Sequence, residues 1–435
     1  MVIKMNKIFL FIGLVGGICV ISYLLFAHPS KEYPISANKD GNCEIIKSKV
    51  FVVGKDEPIG ERETCSDYIV QISPSGNEIC IVYTSPKTQQ SFNGEGENHY
   101  LRIVATEDKK AEDYPIPSLS SLPYPIIFST LNPPMWSPNE DCILLYGNGG
   151  TSNRGFLWLF DKRKRRVSFL CETVSDKWVK IYQPWSKEGD AVLVAHRGKD
   201  SQEILLCIRE IESGKEKEIA RLKVTPSEGF NPWFPVKGKI FALWDQTSGN
   251  IYFWVNEKGV FALSPNQFVP EKIFGPLPNM EEWAIHDSLL YPNAMWILLD
   301  ALWKQDVEKN TLLPSKKKFC IFDLKLSKFI YTSTASLGSF ELFPSVIAQQ
   351  VKPFPYERVF LIHSIPSEFA LKRIRLIDLR KSAREVEIEL PIPGSEQIWD
   401  IQWGKDIYTL FVVTSNKSNG RRLEFFKLYQ LKIKY

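Results

Sequence analysis

Three stretches of the sequence, MWSPNEDCILLYG (135–147), PWSKEGDAVLVAH (184–196) and PWFPVKGKIFALW (232–244), align without gaps. QISPSGNEICIVYT (71–84) precedes them, and LYPNAMWILLDA (290–301) follows more loosely. Two weaker copies are LFPSVIAQQVKPFPYERVFLIHS (342–364), with an insertion, and IQWGKDIYTLFVVT (401–414). Each copy has an aromatic or aliphatic anchor, a turn rich in Ser, Pro, Gly, Asn or Asp, and then a strongly apolar run. The anchors are Ile72, Trp136, Trp185, Trp233, Leu290, Phe343 and Trp403, spaced 64, 49, 48, 57, 53 and 60 residues apart. The anchor closes a strand. The turn reverses the chain, because Pro fixes φ and Gly or Asn accepts a left-handed backbone. The apolar run does not alternate, so it reads as a strand buried on both faces.

Two further strand-like segments separate the runs. They are GFLWLF (155–160) and RVSFLC (166–171) in one unit, and EILLCIRE (203–210) and EKEIARLKV (216–224) in the next. Four strands in a repeated unit of this length predict an all-β chain folded as a β-propeller. Radially stacked blades give a doubly apolar strand a sheet on either side; a lone sheet cannot. Seven anchors predict seven blades, with six as the runner-up if 264–345 forms fewer strands. The strand CEIIKSKVFVVG (43–54) has no unit of its own. It is expected to join the last blade as its outer strand, closing a propeller over 43–435 and removing two free sheet edges.

The W-S-P-N turn, the apolar run and the downstream aromatic strand resemble the TolB-type, WD-repeat-like propeller repeats of exported bacterial proteins. The resemblance covers most of residues 66–414. The family's repeat prefers Pro-Asp-Gly in the turn, where this chain has P-S-G, P-N-E, K-E-G and V-K-G. The N-terminal domain of TolB itself is not expected here, because only a short tether precedes the repeats, so no role in that envelope complex is implied. The resemblance implies binding of proteins or peptides and brings no catalytic motif with it.

Residues 8–27, IFLFIGLVGGICVISYLLFA, are 20 residues without a charge, with Lys4 and Lys7 before and Lys31 after. Twenty helical residues at about 1.5 Å each span roughly 30 Å, the thickness of the hydrocarbon core. They are read as a transmembrane anchor with residues 1–7 cytoplasmic and the body periplasmic or extracellular. The rivals are a cleaved signal peptide and a lipoprotein signal at Cys19; all three export the body. Residues 28–42 read as a tether with a reach of about 20 Å. Of 435 residues, 54 are basic and 50 acidic; beyond residue 31 the balance is 51 to 50. A near-neutral body excludes nucleic acid as the main partner, which would need a strong positive field.

The eight cysteines form no C-x-x-C pair, and the five histidines have no neighbour at metal-ligand spacing, so no metal is expected. Cys43 and Cys65, which flank the first strand of the body, are the favoured disulfide pair. No phosphate cradle and no G-x-S-x-G occurs, so neither a cofactor nor a reaction is assigned. The loops joining strand 2 to 3, and strand 4 to the next strand 1, share the face around the channel mouth, where ligands bind. The residue eleven after each anchor marks that face: Tyr83, Gly147, His196, Trp244, Ala301 and Thr414, with His363 taking the role in the inserted copy. Candidate binding residues are therefore Arg154, His196, Arg197, Trp244, Asp245 and His363, with His196, Arg197, Trp244 and Asp245 expected as one polar and aromatic patch. KRKRR (162–166) is a basic turn on the opposite face, either solvated or set against anionic lipid. The leading reading is a non-catalytic binder of protein, peptide or envelope polymer. The alternatives are a glycan-active lyase or hydrolase with channel carboxylates, and a scaffold subunit of a membrane assembly.

Overall fold

The computed structural model describes residues 42–434, apart from 53–67, 85–98, 108–109, 120–125, 129–131, 150–153, 177, 201, 224–238, 256–257, 265–268, 276–284, 292–294, 307–310, 324–325, 327, 333–350, 354–358, 364–372, 381–383, 405 and 417–424. The predicted anchor at 8–27 and the tether up to residue 41 lie outside the described residues. So does Cys65 of the predicted disulfide; its partner Cys43 is half-buried and stands opposite Ile433. Among the described residues all regular structure is β, and no helix is long and apolar enough to cross a membrane.

Strand β1 (Asn42–Val52) comes first in the chain. The first sheet holds β2 (Tyr68–Ile72), β3 (Glu78–Thr84), β4 (His99–Ala105) and β5 (Ala111–Pro115) in that spatial order. The second holds β6 (Ile127–Phe128), β7 (Met135–Trp136), β8 (Cys142–Asn148), β9 (Arg154–Asp161) and β10 (Arg166–Val174), with β6 and β7 both paired to β8. Next comes β11 (Val179–Gln183), followed by a three-stranded third sheet of β12 (Ala191–Arg197), β13 (Glu203–Glu210) and β14 (Glu216–Lys223). The fourth sheet runs from β11 through β15 (Ile240–Trp244), β16 (Ile251–Val255) and β17 (Gly259–Leu263) to β18 (Glu271–Phe274). The fifth holds β19 (Ile285–Tyr291), β20 (Met295–Asp306), β21 (Thr311–Asp323) and β22 (Lys328–Thr332). The sixth holds β23 (Val351–Pro353), β24 (Val359–His363), β25 (Arg373–Asp378) and β26 (Arg384–Glu389). The seventh holds β27 (Glu396–Trp403), β28 (Thr409–Asn416) and β29 (Phe425–Lys434), with β1 on its outer edge. The pairings between these strands are antiparallel except that of β11 with β15, which is parallel.

The repeated turn has one chemistry. In three copies a serine follows the anchor, and its hydroxyl accepts the backbone N–H five residues on. The bonds are Glu78 N to Ser73 Oγ (3.2 Å), Cys142 N to Ser137 Oγ (2.9 Å) and Ala191 N to Ser186 Oγ (3.0 Å). All three serines are buried, so the hydroxyl satisfies backbone that water does not reach. The fourth turn residue is left-handed: Gly76 and Gly189 at φ of 74° and 76°, but Glu140 at 59°. Glu140 stands where the other copies have glycine. Its carboxylate accepts bonds from Ser75 N (2.6 Å) and Ser75 Oγ (2.8 Å), tying the second turn to the first.

Packing follows from strand alternation. On β3, Cys80 and Val82 join the core shared with the second sheet, while Ile79 and Ile81 join the core shared with the seventh. On β8, Ile143 and Leu145 face the first sheet, whereas Cys142 and Leu144 face the third. On β12, Val192 and Val194 face the second sheet, whereas Leu193 and Ala195 face the fourth. The first and last sheets meet: Val413 and Leu428 lie in one cluster with Val70, Ile72, Ile79 and Ile81, and Ile72 N donates to Asp400 Oδ2 at 3.2 Å. The anchor Trp185 is fully buried, and its indole N–H donates to Met135 O at 2.9 Å.

The basic turn is neutralised by its neighbours. Lys162 pairs with Glu78, Arg163 with Asp141, Lys164 with Asp161 and Arg165 with Glu112, at 2.6–2.9 Å. Glu78 and Glu112 belong to the first sheet, so the turn ties two sheets together. In the seventh sheet Glu396, 3% exposed, accepts bonds from Thr414 Oγ1 (2.6 Å), Lys427 Nζ (2.6 Å) and Tyr429 OH (2.9 Å). Burial pushes its carboxyl up, but the bonds from Lys427, Thr414 and Tyr429 outweigh burial and hold it below its ordinary value of 4.5.

Two stability measurements follow. Ser186→Ala strips the acceptor from the N–H groups of Asp190 and Ala191 and is expected to cost about 1–3 kcal/mol; an unchanged urea midpoint would contradict this. The depressed carboxyl of Glu396 contributes stability that is fully present above the unfolded value of 4.5 and is lost as pH falls through the folded value. Glu396→Gln is therefore expected to lose about 1–3 kcal/mol at neutral pH, with the deficit shrinking in acid. Urea titrations over that pH range check it, and a constant offset between the two proteins would count against it.

Candidate functional site

The count of eleven from each anchor lands close to the end of the second strand. Tyr83, Gly147 and His196 are each one residue from the ends of β3, β8 and β12; Trp244 ends β15, and Thr414 is two from the end of β28. Ala301 falls inside β20 instead, because that strand continues to Asp306.

The predicted patch of His196, Arg197, Trp244 and Asp245 divides. His196 and Arg197 are consecutive on β12, so their side chains leave opposite faces of the sheet. Arg197 is exposed and lies 5.8 Å over the ring of Trp178. Trp178 and Trp244 both pack, partly buried, against the core of the third and fourth sheets. Asp245 turns inward and is 4% exposed. Its carboxylate accepts bonds from Thr247 N (2.9 Å), Ser248 N (3.3 Å) and the Ser248 hydroxyl, so it is spent on its own turn. Arg154 opens β9, pairs with Glu172 and lies 5.6 Å from the Phe156 ring. His363 ends β24 in the sixth sheet, level with Ile374. His196 faces Cys207 and Glu216 rather than the Trp178 side.

A polar hub that no motif announces stands beside Arg197 and Trp178. Asp176, in the connection from β10 to β11, accepts bonds from Asn132 Nδ2 (2.9 Å) and Asn148 Nδ2 (3.0 Å), while its backbone N donates to Tyr146 OH (2.8 Å). Asn148 is the last residue of β8, and Asn132 lies in the gap between β6 and β7. Burial pushes the Asp176 carboxyl up. The charge of Lys239, the bonds from Asn148 and Asn132, and the charge of Lys180 outweigh it and hold the group below its ordinary 3.8. Lys180 and Lys239 in turn lie 5.1 and 5.7 Å from the rings of Tyr182 and Phe241. Those two rings stack with each other and with Trp254, at interplanar angles of 4–14°. The connection from β10 to β11, with the adjoining ends of the second, third and fourth sheets, thus carries a fixed carboxylate, two carboxamides and three cations resting on aromatic faces.

No family model matches this sequence, and no curated protein does. Among solved structures, the β-propeller domain of the Trilobed protease from Pyrococcus furiosus is similar at 12% identity and a TM-score of 0.45, over 83% of this chain and 97% of that one. Oligogalacturonate lyase from Vibrio parahaemolyticus is similar at 9% identity and a TM-score of 0.44, over 89% of this chain and 98% of that one. Acylaminoacyl peptidase from Pyrococcus horikoshii is similar at 12% identity and a TM-score of 0.43, over 82% of this chain and 50% of that one.

Replacing Asp176 by alanine leaves the Asn132 and Asn148 amides without their acceptor, at an expected cost of about 1–3 kcal/mol. The carboxyl is depressed, so the deficit is full above pH 3.8 and closes as acid protonates the wild-type group. Thermal unfolding across that range measures it; equal midpoints at neutral pH would show that the hub contributes nothing.

Proposed function

We propose that the chain is a seven-bladed, TolB-type β-propeller, closed by β1 joining the last blade. It is held at a membrane by an anchor at 8–27, with the body outside the cytoplasm, and binds a protein, peptide or envelope polymer without catalysis. The seven-blade reading is supported by seven sheets in chain order and by the core that the last sheet shares with the first. The anchor rests on the 20 uncharged residues between flanking lysines.

The binding reading is carried by one observation: exposed Arg197 lies over Trp178 beside the Asp176 hub. Trp178 Nε1 is buried and has no hydrogen-bond partner. An arginine stacked on a half-buried indole offers a flat, amphipathic surface of the kind that dominates interfaces. Asp176 is held ionised at neutral pH, so it serves as acceptor and charge and not as a general acid. That favours recognition over catalysis by this group.

The test uses the full chain in its own membranes. Photo-crosslinked adducts are compared for wild type, Arg197→Ala, Trp178→Ala and, on the opposite turn, Arg163→Ala. The adducts should vanish with the first two substitutions and persist with the third. Identical adducts in all four proteins would overturn the assignment of the face.

A further inference from the structure

The strongest unassigned chemistry lies on the other face of β12. His196, Cys207 and Glu216 come from three adjacent strands, β12, β13 and β14. His196 is level with Leu205, Cys207 with Val194 and Glu218, and Glu216 with Arg209. Each step preserves the parity of the pleat, so all three side chains leave the same face, stepping diagonally across the sheet. One nitrogen, the sulfur and one carboxylate oxygen lie within 4.8 Å of one another.

Two details distinguish this trio from an ordinary ion pair. His196 Nε2 is 3.1 Å from Glu216 Oε2, yet it is shielded from solvent and makes no hydrogen bond, because the contact is off the bonding direction. A buried ring nitrogen without a partner is a cost that folded proteins rarely leave standing. Glu216 Oε1 is meanwhile held by Arg209 Nη1 at 2.6 Å. That bond fixes the carboxylate and turns Oε2 toward the imidazole, as an outer partner orients a metal ligand. Cys207 is 6% exposed, whereas the side chains of His196 and Glu216 are 25% and 29% exposed, so the trio opens to solvent on one side.

We propose that His196 Nε2, Cys207 Sγ and a Glu216 carboxylate oxygen bind a borderline-soft divalent cation of the zinc type, with water in the fourth position. The donor set selects the metal: thiolate and imidazole suit zinc, whereas calcium and magnesium require oxygen cages. Bonds of about 2.0–2.3 Å to a tetrahedral ion bring ligand atoms to roughly 3.3–3.8 Å apart, within small side-chain adjustments of the present spacing. On binding, the thiol of Cys207 gives its proton to solvent and no electron is transferred. The ion would bridge the three strands of the sheet whose preceding strand, β11, is paired into the next sheet. This site is independent of the binding face proposed around Arg197.

The experiment takes the full chain in detergent, stripped with chelator and titrated with Co2+ and then Zn2+. Wild type is expected to take up one ion per chain, with the visible bands of tetrahedral cobalt and a thiolate charge-transfer band that zinc abolishes and excess calcium does not. Cys207→Ser should lose the thiolate band, and Glu216→Gln, at the solvent side, should weaken uptake while remaining folded by thermal unfolding. Arg209→Ala should weaken it by about 10–100-fold. No stoichiometric uptake by wild type overturns the proposal. So does a thiolate band that survives Cys207→Ser, uptake that Glu216→Gln leaves unchanged, or displacement by calcium.

Discussion

The structure depends on one constraint: the second strand of each repeat is apolar on both sides and has to be dry on both sides. Successive residues of a strand point to opposite faces, so one strand must serve two cores. Residues 79–82, 142–145 and 192–195 each divide in this way between the sheet before and the sheet after. A strand of that kind has no stable place at the surface of a two-layer sandwich. It calls for a succession of sheets, and the succession has to have no bare end. The first and last sheets meet through Ile72, Val413 and Asp400, which leaves neither with an unpacked apolar face at that seam.

Much of this was legible because it is local. The anchor, the turn and the apolar run lie within about thirteen consecutive residues, and the turn's serine bonds only five positions away. The parallel pairing of β11 with β15 was not legible, because nothing in VKIYQ says which of two flanking sheets it will join. Nor was the break between β6 and β7, which leaves Asn132 in a gap facing Asp176.

The candidate site shows the same division more sharply. Position along a strand predicted that Arg197 and Trp244 would stand at or near the end of their strands, and they do, but Arg197 lies over Trp178, beside the start of β15, whereas Trp244 ends that strand. The grouping of His196 with Arg197 missed the simplest rule of the pleat, that neighbours in sequence part company in space. Asp176 could not be recognised, since its partners lie 28 and 44 positions away. The trio of His196, Cys207 and Glu216 was hidden for a related reason. Metal motifs are recognised by fixed spacing within a turn or helix, whereas here the spacing exists only after three strands have found their register.

The pairing of β1 with β29 ties the beginning of the described chain to its end, from Asn42 opposite Lys434 to Val52 opposite Phe425. A ribosome makes β1 well before β29. Until β29 has been made, the newborn strand therefore has a bare hydrogen-bonding edge, with nothing of its own to zip onto. Its lysines at 47 and 49 are the kind of charge that discourages a stranger from occupying that edge meanwhile. Completion of the final sheet is a rendezvous across nearly the whole polypeptide, the kind of long-range pairing whose loop-closure entropy has to be met before the contacts reward it.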